Sequence, residues 1–293
     1  MSSIQAYCTR PSAVLKLTGE DHLDFLQSQG TADFRGPTGS CIYSLWLDHK
    51  GLIHSDAFVL RVSEEKVLLV SYECTAAEIM EKFERHIIAD DVEVTDHTEE
   101  WQLLSIAPES AASFLDRRSY QHEDNRFHIE ADGYLYSGRR LGKGSLDYLV
   151  PARTGVPLEV EKLSNDSAEH MRIEGGIPSI PRDITPGTMN PVEANILSAV
   201  SFTKGCYLGQ EVVARVHRLK RVSSRLVKIA GKEDAPEMPL SLIVDGREVG
   251  ALTTVSEKPA TGYVGIGWLK SRLEDGEQQF GEHAFKVATL PES

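Results

Sequence analysis

Residues Phe202 to Arg218 read FTKGCYLGQEVVARVHR. Lys204, Cys206, Gln210 and Glu211 fall within eight residues, with Gly205 and Gly209 between them. Reactive side chains separated by glycines and followed by Val and Ala describe a tight loop feeding a helix. Glycine lacks a Cβ, so its backbone takes positive φ and approaches other groups closely. From Glu211 the pattern is helical: Val212, Val213 and Val216 form an apolar stripe, and Glu211 stands four residues before Arg215, the favourable order for an ion pair. The loop therefore carries a thiol at or near a helix N-terminus, where the dipole and Lys204 favour the thiolate. A buried structural cysteine in a glycine-closed loop is the other reading of the same residues.

Two flanking stretches extend this reading. From Lys204 to Lys228 there are seven Lys and Arg against one acid, Glu211, in a chain of net charge −13. Such a local reversal of sign suits an anionic ligand tail or a nucleic acid backbone, or is a solvated linker. Upstream, Met171 to Pro191 reads MRIEGGIPSIPRDITPGTMNP, a Gly- and Pro-rich segment of the kind that carries function. Arg172 and Glu174, two apart, aim the same way if the chain is extended there. A fixed carboxylate such as Glu174 suits a flat heterocycle with adjacent N–H donors, whereas an Arg–Glu surface pair would contribute little.

The composition sets limits. A length of 293 residues favours two or three domains, and 41% hydrophobic residues supply real cores. The negative charge argues against nonspecific adhesion of the whole molecule to nucleic acid or anionic membrane. No apolar run reaches a membrane span, and MSSIQAYCTR lacks a signal-peptide profile. Cys8, Cys41, Cys74 and Cys206 contain no C-x-x-C, which excludes a zinc knuckle, a four-Cys cluster set and a disulfide framework. A soluble protein of the reducing cytoplasm, with no metal of its own, is the expectation.

In chain order, Ala13 to Leu17 alternates as a strand. A short helix runs from Asp21 to near Gly30, and strands Ser40–Leu47 and Ile53–Val62 flank an Asp48-His49-Lys50-Gly51 hairpin. Val67–Val70 and Val92–Val94 read as strands, and Ala76–Ile88 has helical spacing. A second block begins near Trp101, with strands at 102–106, 127–129, 133–136 and 146–150. Its helices are expected at Ser110–Leu115, Pro157–Leu163 and Asn165–Ile173. From Arg225 on, short strands with an Asp245-Gly246 turn describe a small antiparallel barrel or sandwich. The fold class is α+β.

KGCYLGQE, Lys204 to Glu211, resembles the signature of the YgfZ/IBA57-like folate-binding proteins, a family similar in fold to the glycine cleavage system T-protein, an aminomethyltransferase. FLQSQGTADF from Phe25, KGLIHSD from Lys50, RIEGGIP from Arg172 and GREVGALTT from Gly246 extend the resemblance, in order, over nearly the whole chain. The resemblance implies a three-lobed T-protein-like ring of two α+β lobes (1–98 and 99–220, with segment exchange allowed) plus a C-terminal β-barrel (221–293). It implies tetrahydrofolate or a derivative in the central hole, with Glu174 turned to the pterin and Arg172 beside it. Asp56 falls where the T-protein keeps its catalytic Asp. Cys206 is the hallmark thiol, with Lys204 as its neighbour. Tyr207, Gly209, Gln210, Glu211 and Arg215 complete the expected folate-side set. The function implied is support of iron–sulfur cluster assembly or repair in client enzymes, tRNA-modifying enzymes among them, by a monomer whose direct contact with nucleic acid is open. The alternatives are a folate-dependent one-carbon transferase using Asp56, and a docking scaffold using the basic cluster. The Cys-Tyr pair, which the T-protein segment lacks, favours the first.

Overall fold

A computed structural model describes residues 3–118, 120–121, 123–154, 160–232, 234–258, 262–280 and 283–291. Strand β1 (Ile4–Thr9) opens the chain but does not join the strands that follow it. Strands β2 (Ala13–Thr18), β3 (Cys41–Leu47), β4 (Ile53–Arg61), β5 (Val67–Ser71) and β6 (Glu93–Asp96) make an antiparallel sheet in the order β3-β4-β5-β2-β6. The β3–β4 hairpin turns at Asp48, whose Oδ1 accepts from the Lys50 and Leu52 N–H groups at 2.8 and 2.9 Å. Gly51 there has φ +72°, a conformation that favours glycine.

Helices α1 (His22–Gln29) and α2 (Ala76–Glu84) cover this sheet. Phe83 of α2 stands edge-on to Phe25 of α1, with ring centroids 5.4 Å apart, and 5.8 Å from Trp46 of β3. Thr75 starts α2 with a capping box: its hydroxyl accepts from the Glu78 N–H, and the Glu78 carboxylate accepts from the Thr75 N–H.

The second sheet is built from β7 (Trp101–Ile106), β8 (Phe127–Glu130), β9 (Gly133–Ser137), β10 (Leu146–Pro151) and β11 (Val160–Lys162), with β1 inserted, in the order β11-β1-β7-β10-β9-β8. Strand β1 is antiparallel to β7 and parallel to β11. The N-terminus thus belongs to the second sheet, and the chain crosses to the first at Arg10–Ser12. Phe58 of β4 lies 5.1 Å from Tyr136 of β9, and these rings join the two sheets through a shared apolar layer. Helix α3 (Pro108–Asp116) packs on the outer face through Ala111 and Phe114.

Helix α4 (Asn165–Glu174) leads into the Gly- and Pro-rich segment. Ile173, Ile180, Ile184, Met189 and Ile196 are buried in the core of the first lobe. Helix α5 (Gln210–Leu219) then leads to β12 (Ser224–Gly231), β13 (Leu240–Val244), β14 (Arg247–Lys258), β15 (Gly262–Lys270), β16 (Gly276–Phe280) and β17 (His283–Thr289). These form one antiparallel sheet, β13-β14-β15-β12-β17-β16, curled as a half-barrel over Val227, Ile229, Leu252 and Phe285. Asp245 and Gly246 both have positive φ, 50° and 70°, as the expected two-residue hairpin requires.

The α+β class and the C-terminal β-unit follow the sequence pattern. The Pro157–Leu163 helix does not: residues 157–159 lie outside the described residues, and 160–162 form β11. Its three residues pair in parallel with β1, so a long-range partner overrides local propensity. Substitution of Thr75 by Ala removes the cap and is expected to lower stability by about 1 kcal/mol in urea unfolding, while Ser at this position keeps most of it.

Candidate functional site

The three sheets meet around Arg172, on the last turn of α4. Its guanidinium is buried and donates to the Ile177 carbonyl at 2.5 Å, to Asp183 Oδ2 at 2.7 Å, to both oxygens of Glu169 at 2.6 and 2.8 Å, and to Thr254 Oγ1 at 3.2 Å. Asp183 accepts in turn from the Ser179 N–H at 2.9 Å and from the Thr253 and Thr254 hydroxyls at 2.7 Å each. Burial alone would weaken the protonation of Arg172. The Glu169 hydrogen bonds and the Asp183 charge outweigh it, and the guanidinium is held above its ordinary range. One ion pair thereby joins α4, the 177–183 loop and β14. Arg182 extends it outward, bridging Glu73 and Glu169 at 2.6 and 3.1 Å.

A second polar chain crosses from the first sheet to the second. Asp56 of β4 accepts from the Tyr43 hydroxyl at 2.5 Å and from the Cys74 thiol at 3.4 Å. The Arg139 guanidinium lies 3.9 Å from the centre of the Tyr43 ring, and the Arg139 N–H donates to the Tyr72 hydroxyl at 3.0 Å. Tyr72 donates to Asp147 of β10, which also accepts from Ser105 at 2.7 Å. Burial raises the Asp56 carboxyl against the opposing pull of Tyr43 and Arg139, and it pushes Asp147 up to about 6. Burial, reinforced by the Asp56 charge, also raises the Cys74 thiol, so Cys74 serves as a donor and not as a nucleophile.

These two networks frame a cleft. Asp56, Arg139 and Arg172, with Ile177–Ile180, line an inner recess of about 20 Å³, enough for one water. Glu73, Arg140 and Arg172 are shared with an outer chamber of about 470 Å³, to which Tyr7, Glu169 and Arg182 also contribute. The outer chamber falls in the size range of small-molecule sites. Asp56 and Arg172 therefore come together. Glu174 does not join them: residues 165–174 are helical, and two residues on a helix are about 200° apart. The extended geometry expected for Arg172 and Glu174 is corrected accordingly. Glu174 is ion-paired with Lys228 of β12, which also donates to the Glu174 carbonyl at 2.8 Å.

The 202–218 segment forms a separate place. Gly209, φ +83°, is the N-cap of α5, and a Cβ there would stand 2.6 Å from the Asp48 carbonyl oxygen and 2.9 Å from the Gly51 Cα. The glycine lets the loop close on the β3–β4 hairpin. Lys204 is buried, and its ammonium donates to the Gly30 and Ala32 carbonyls at 2.8 and 2.5 Å. Desolvation lowers it to about 8. Its charge is thus committed to the loop after α1. Tyr207 is buried beside it, its hydroxyl pushed up to about 12 by burial and without a hydrogen-bond partner among the described residues. Cys206 is exposed, four residues before the first helical residue, which excludes the buried-cysteine reading. Gln210 opens the helix. Glu211 and Arg215 are exposed and, among the described residues, make no ion pair with each other.

Arg139, Tyr72, Asp147, Arg182 and Asp183 are absent from the sequence-derived site. Asp147 carried a signal, a lone acid within the apolar strand LDYLVP, as did Arg139-Arg140 ahead of a Gly-flanked turn. Tyr72 carried none.

The GCVT N-terminal domain model matches residues 12–129. A chloroplastic protein of Arabidopsis thaliana is 25% identical over 279 residues, covering 88% of this chain and 63% of that one. The mitochondrial iron–sulfur cluster assembly factor IBA57 of Mus musculus is 36% identical over 115 residues, 36% of this chain and 30% of its own. The tRNA-modifying protein YgfZ of Colwellia psychrerythraea is 25% identical over 231 residues, 76% and 70%. The chain thus spans under two thirds of the length of the first two. The glycine cleavage aminomethyltransferase T structure from Bartonella henselae superposes with a TM-score of 0.82 at 19% identity, covering 100% of this chain and 87% of that one, a likeness of fold.

Replacing Lys204 by Met is expected to cost about 2 kcal/mol by leaving the Gly30 and Ala32 carbonyls without a charged donor, while Cys206→Ala stays within about 0.5 kcal/mol; paired urea titrations read both. Asp147 binds its proton more tightly folded than unfolded. Its contribution is full below its unfolded value near 3.8 and is lost as pH rises through about 6. Unfolding free energies across this window should show, relative to Asp147→Asn, a decline on the order of 2–3 kcal/mol in the wild type. The matched domain, the relatives and the fold agree: the chain is similar in sequence to the YgfZ and IBA57 proteins and shares the fold of the glycine cleavage T-protein.

Proposed function

We propose that this protein binds a reduced folate in the cleft between its lobes and supports assembly or repair of iron–sulfur clusters in client enzymes, tRNA-modifying enzymes among them. The observation that carries the reading is the shared cleft of Asp56 and Arg172, opening into a chamber of about 470 Å³. The chemistry of that chamber suits a folate. Arg140 and Arg182, now paired with Glu73 and Glu169, are cations that the glutamate carboxylates would compete for, and Glu73 so released would accept from pterin N–H groups. The inner recess is narrower than a pterin, so the ring would sit outside it, with Asp56 at its inner end. A bound folate supplies a carrier for one-carbon units. Arg172 holds the cleft walls, and Glu174 with Lys228 holds α4 to the half-barrel.

Cys206 is outside the lining of both chambers and open to solvent. An exposed sulfur is a soft ligand for iron, and its place on the surface suits contact with a client or assembly protein. Four free thiols suit a reducing compartment such as the cytoplasm. The second reading, a folate-dependent one-carbon transferase, draws on the position of Asp56 in the cleft. Both Asp56 oxygens are engaged by Tyr43 and Cys74, which weighs against its service as a base.

The test is complementation in a cell that depends on this gene. The Cys206→Ala protein should accumulate to wild-type levels and restore less than about a tenth of the activity of a [4Fe–4S] client, as expected where a direct metal contact is lost. Full restoration by Cys206→Ala would reject the iron–sulfur role of the thiol.

A further inference from the structure

Helix α5 and the loop before it carry a second surface, independent of the cleft. Of the seven cations between Lys204 and Lys228, three are committed. Lys204 is buried on carbonyl groups, Arg225 is paired with Asp275 at 2.8 Å, and Lys228 is paired with Glu174. The other four, Arg215, Arg218, Lys220 and Arg221, are exposed, and their side chains make no ion pair or hydrogen bond among the described residues. Beside them, Phe202 is 41% exposed and stacks on His217, with ring centroids 4.3 Å apart and planes 23° from parallel.

We propose that this face docks single-stranded RNA. Four cations free of ion pairs within residues 215–221 match a phosphodiester backbone, and the exposed Phe202 ring, stacked on His217 of the same stretch, offers a base a stacking partner. The aromatic platform separates this reading from an acidic protein partner, which would need the cations alone. It also separates single strand from duplex, because bases must be unstacked to reach a side-chain ring. The overall charge of −13 does not oppose this, since acids beyond about 8 Å are largely screened at physiological ionic strength. Phe202 is four residues from the exposed Cys206, so a strand on this face would run beside the thiol.

Fluorescence anisotropy with a 5′-labelled oligoribonucleotide of about twelve nucleotides, within the usual site size, tests the proposal on the full chain. From about 50 to about 200 mM KCl the plot of log affinity against log salt should have a slope of about −2.8, or about −0.7 for each of four phosphate contacts. Phe202→Ala should weaken binding at least about fivefold at unchanged slope. The double variant Arg218→Gln/Arg221→Gln should weaken it and make the slope shallower by about 1.4. All three substituted residues are exposed, and circular dichroism confirms that the variants are folded. Absence of binding at the lowest salt overturns the proposal, as do unchanged affinity in both variants and equal or tighter binding of the same sequence as a duplex. Displacement of the RNA by poly-glutamate at equal charge concentration would likewise overturn it, in favour of an acidic protein surface.

Discussion

The ion pair of Arg172 and Asp183, with side chains 5% and 0% exposed, holds the lobes in register. Two charges removed from water are costly, and such a pair persists only where further hydrogen bonds complete both partners. That condition is met by groups from separate parts of the fold. Glu169 comes from α4, Ser179 from the loop, and Thr253 and Thr254 from the half-barrel. Removing one partner would leave the other buried and uncompensated, at a cost of about 3–5 kcal/mol. The Gly- and Pro-rich segment after α4 is therefore a structural member whose conformation is set by one guanidinium.

The same constraint shapes the cleft. With the 177–183 loop held against Arg172, its backbone forms one wall of the inner recess, and Asp56 and Arg139 form the other. Burial leaves Asp56 in the recess, and Asp147 behind Tyr72, above their ordinary range, each hydrogen-bonded to a tyrosine hydroxyl. The Arg139 charge opposes the rise at Asp56, and Asp147 is joined to the Arg139 backbone N–H through Tyr72. The walls thus alternate in sign over short distances, a surface that discriminates by hydrogen-bond geometry more than by net charge.

Much of the architecture was legible because local pattern and tertiary demand agreed. The alternation in β2–β5, the spacing of Ala76, Ile79 and Phe83, and the Asp245-Gly246 turn each express a rule that holds within a few residues. β1 and β11 were missed because each is stabilised by a strand distant in sequence. Of the residues expected at the site, Asp56 and Arg172 line one recess, while the groups around them, Tyr43, Tyr72 and Arg139, look ordinary until the fold brings them together. The condition under which Arg172 and Glu174 would aim the same way, an extended chain, is not met: α4 runs through Glu174 and turns it toward Lys228. Gly209 was recognised as a close-approach residue, and its neighbour is the β3–β4 hairpin.

The cleft and the thiol occupy different places, so the proposed ligand binding and the proposed contact with a partner can be tested apart. The most direct measurement of the account is hydrogen–deuterium exchange of the whole chain with and without tetrahydrofolate. The account predicts slowed exchange at Arg139–Arg140 and across Glu169–Asp183, the segments that wall the cleft, and none at α5. Unchanged exchange throughout, or protection confined to α5, would contradict it.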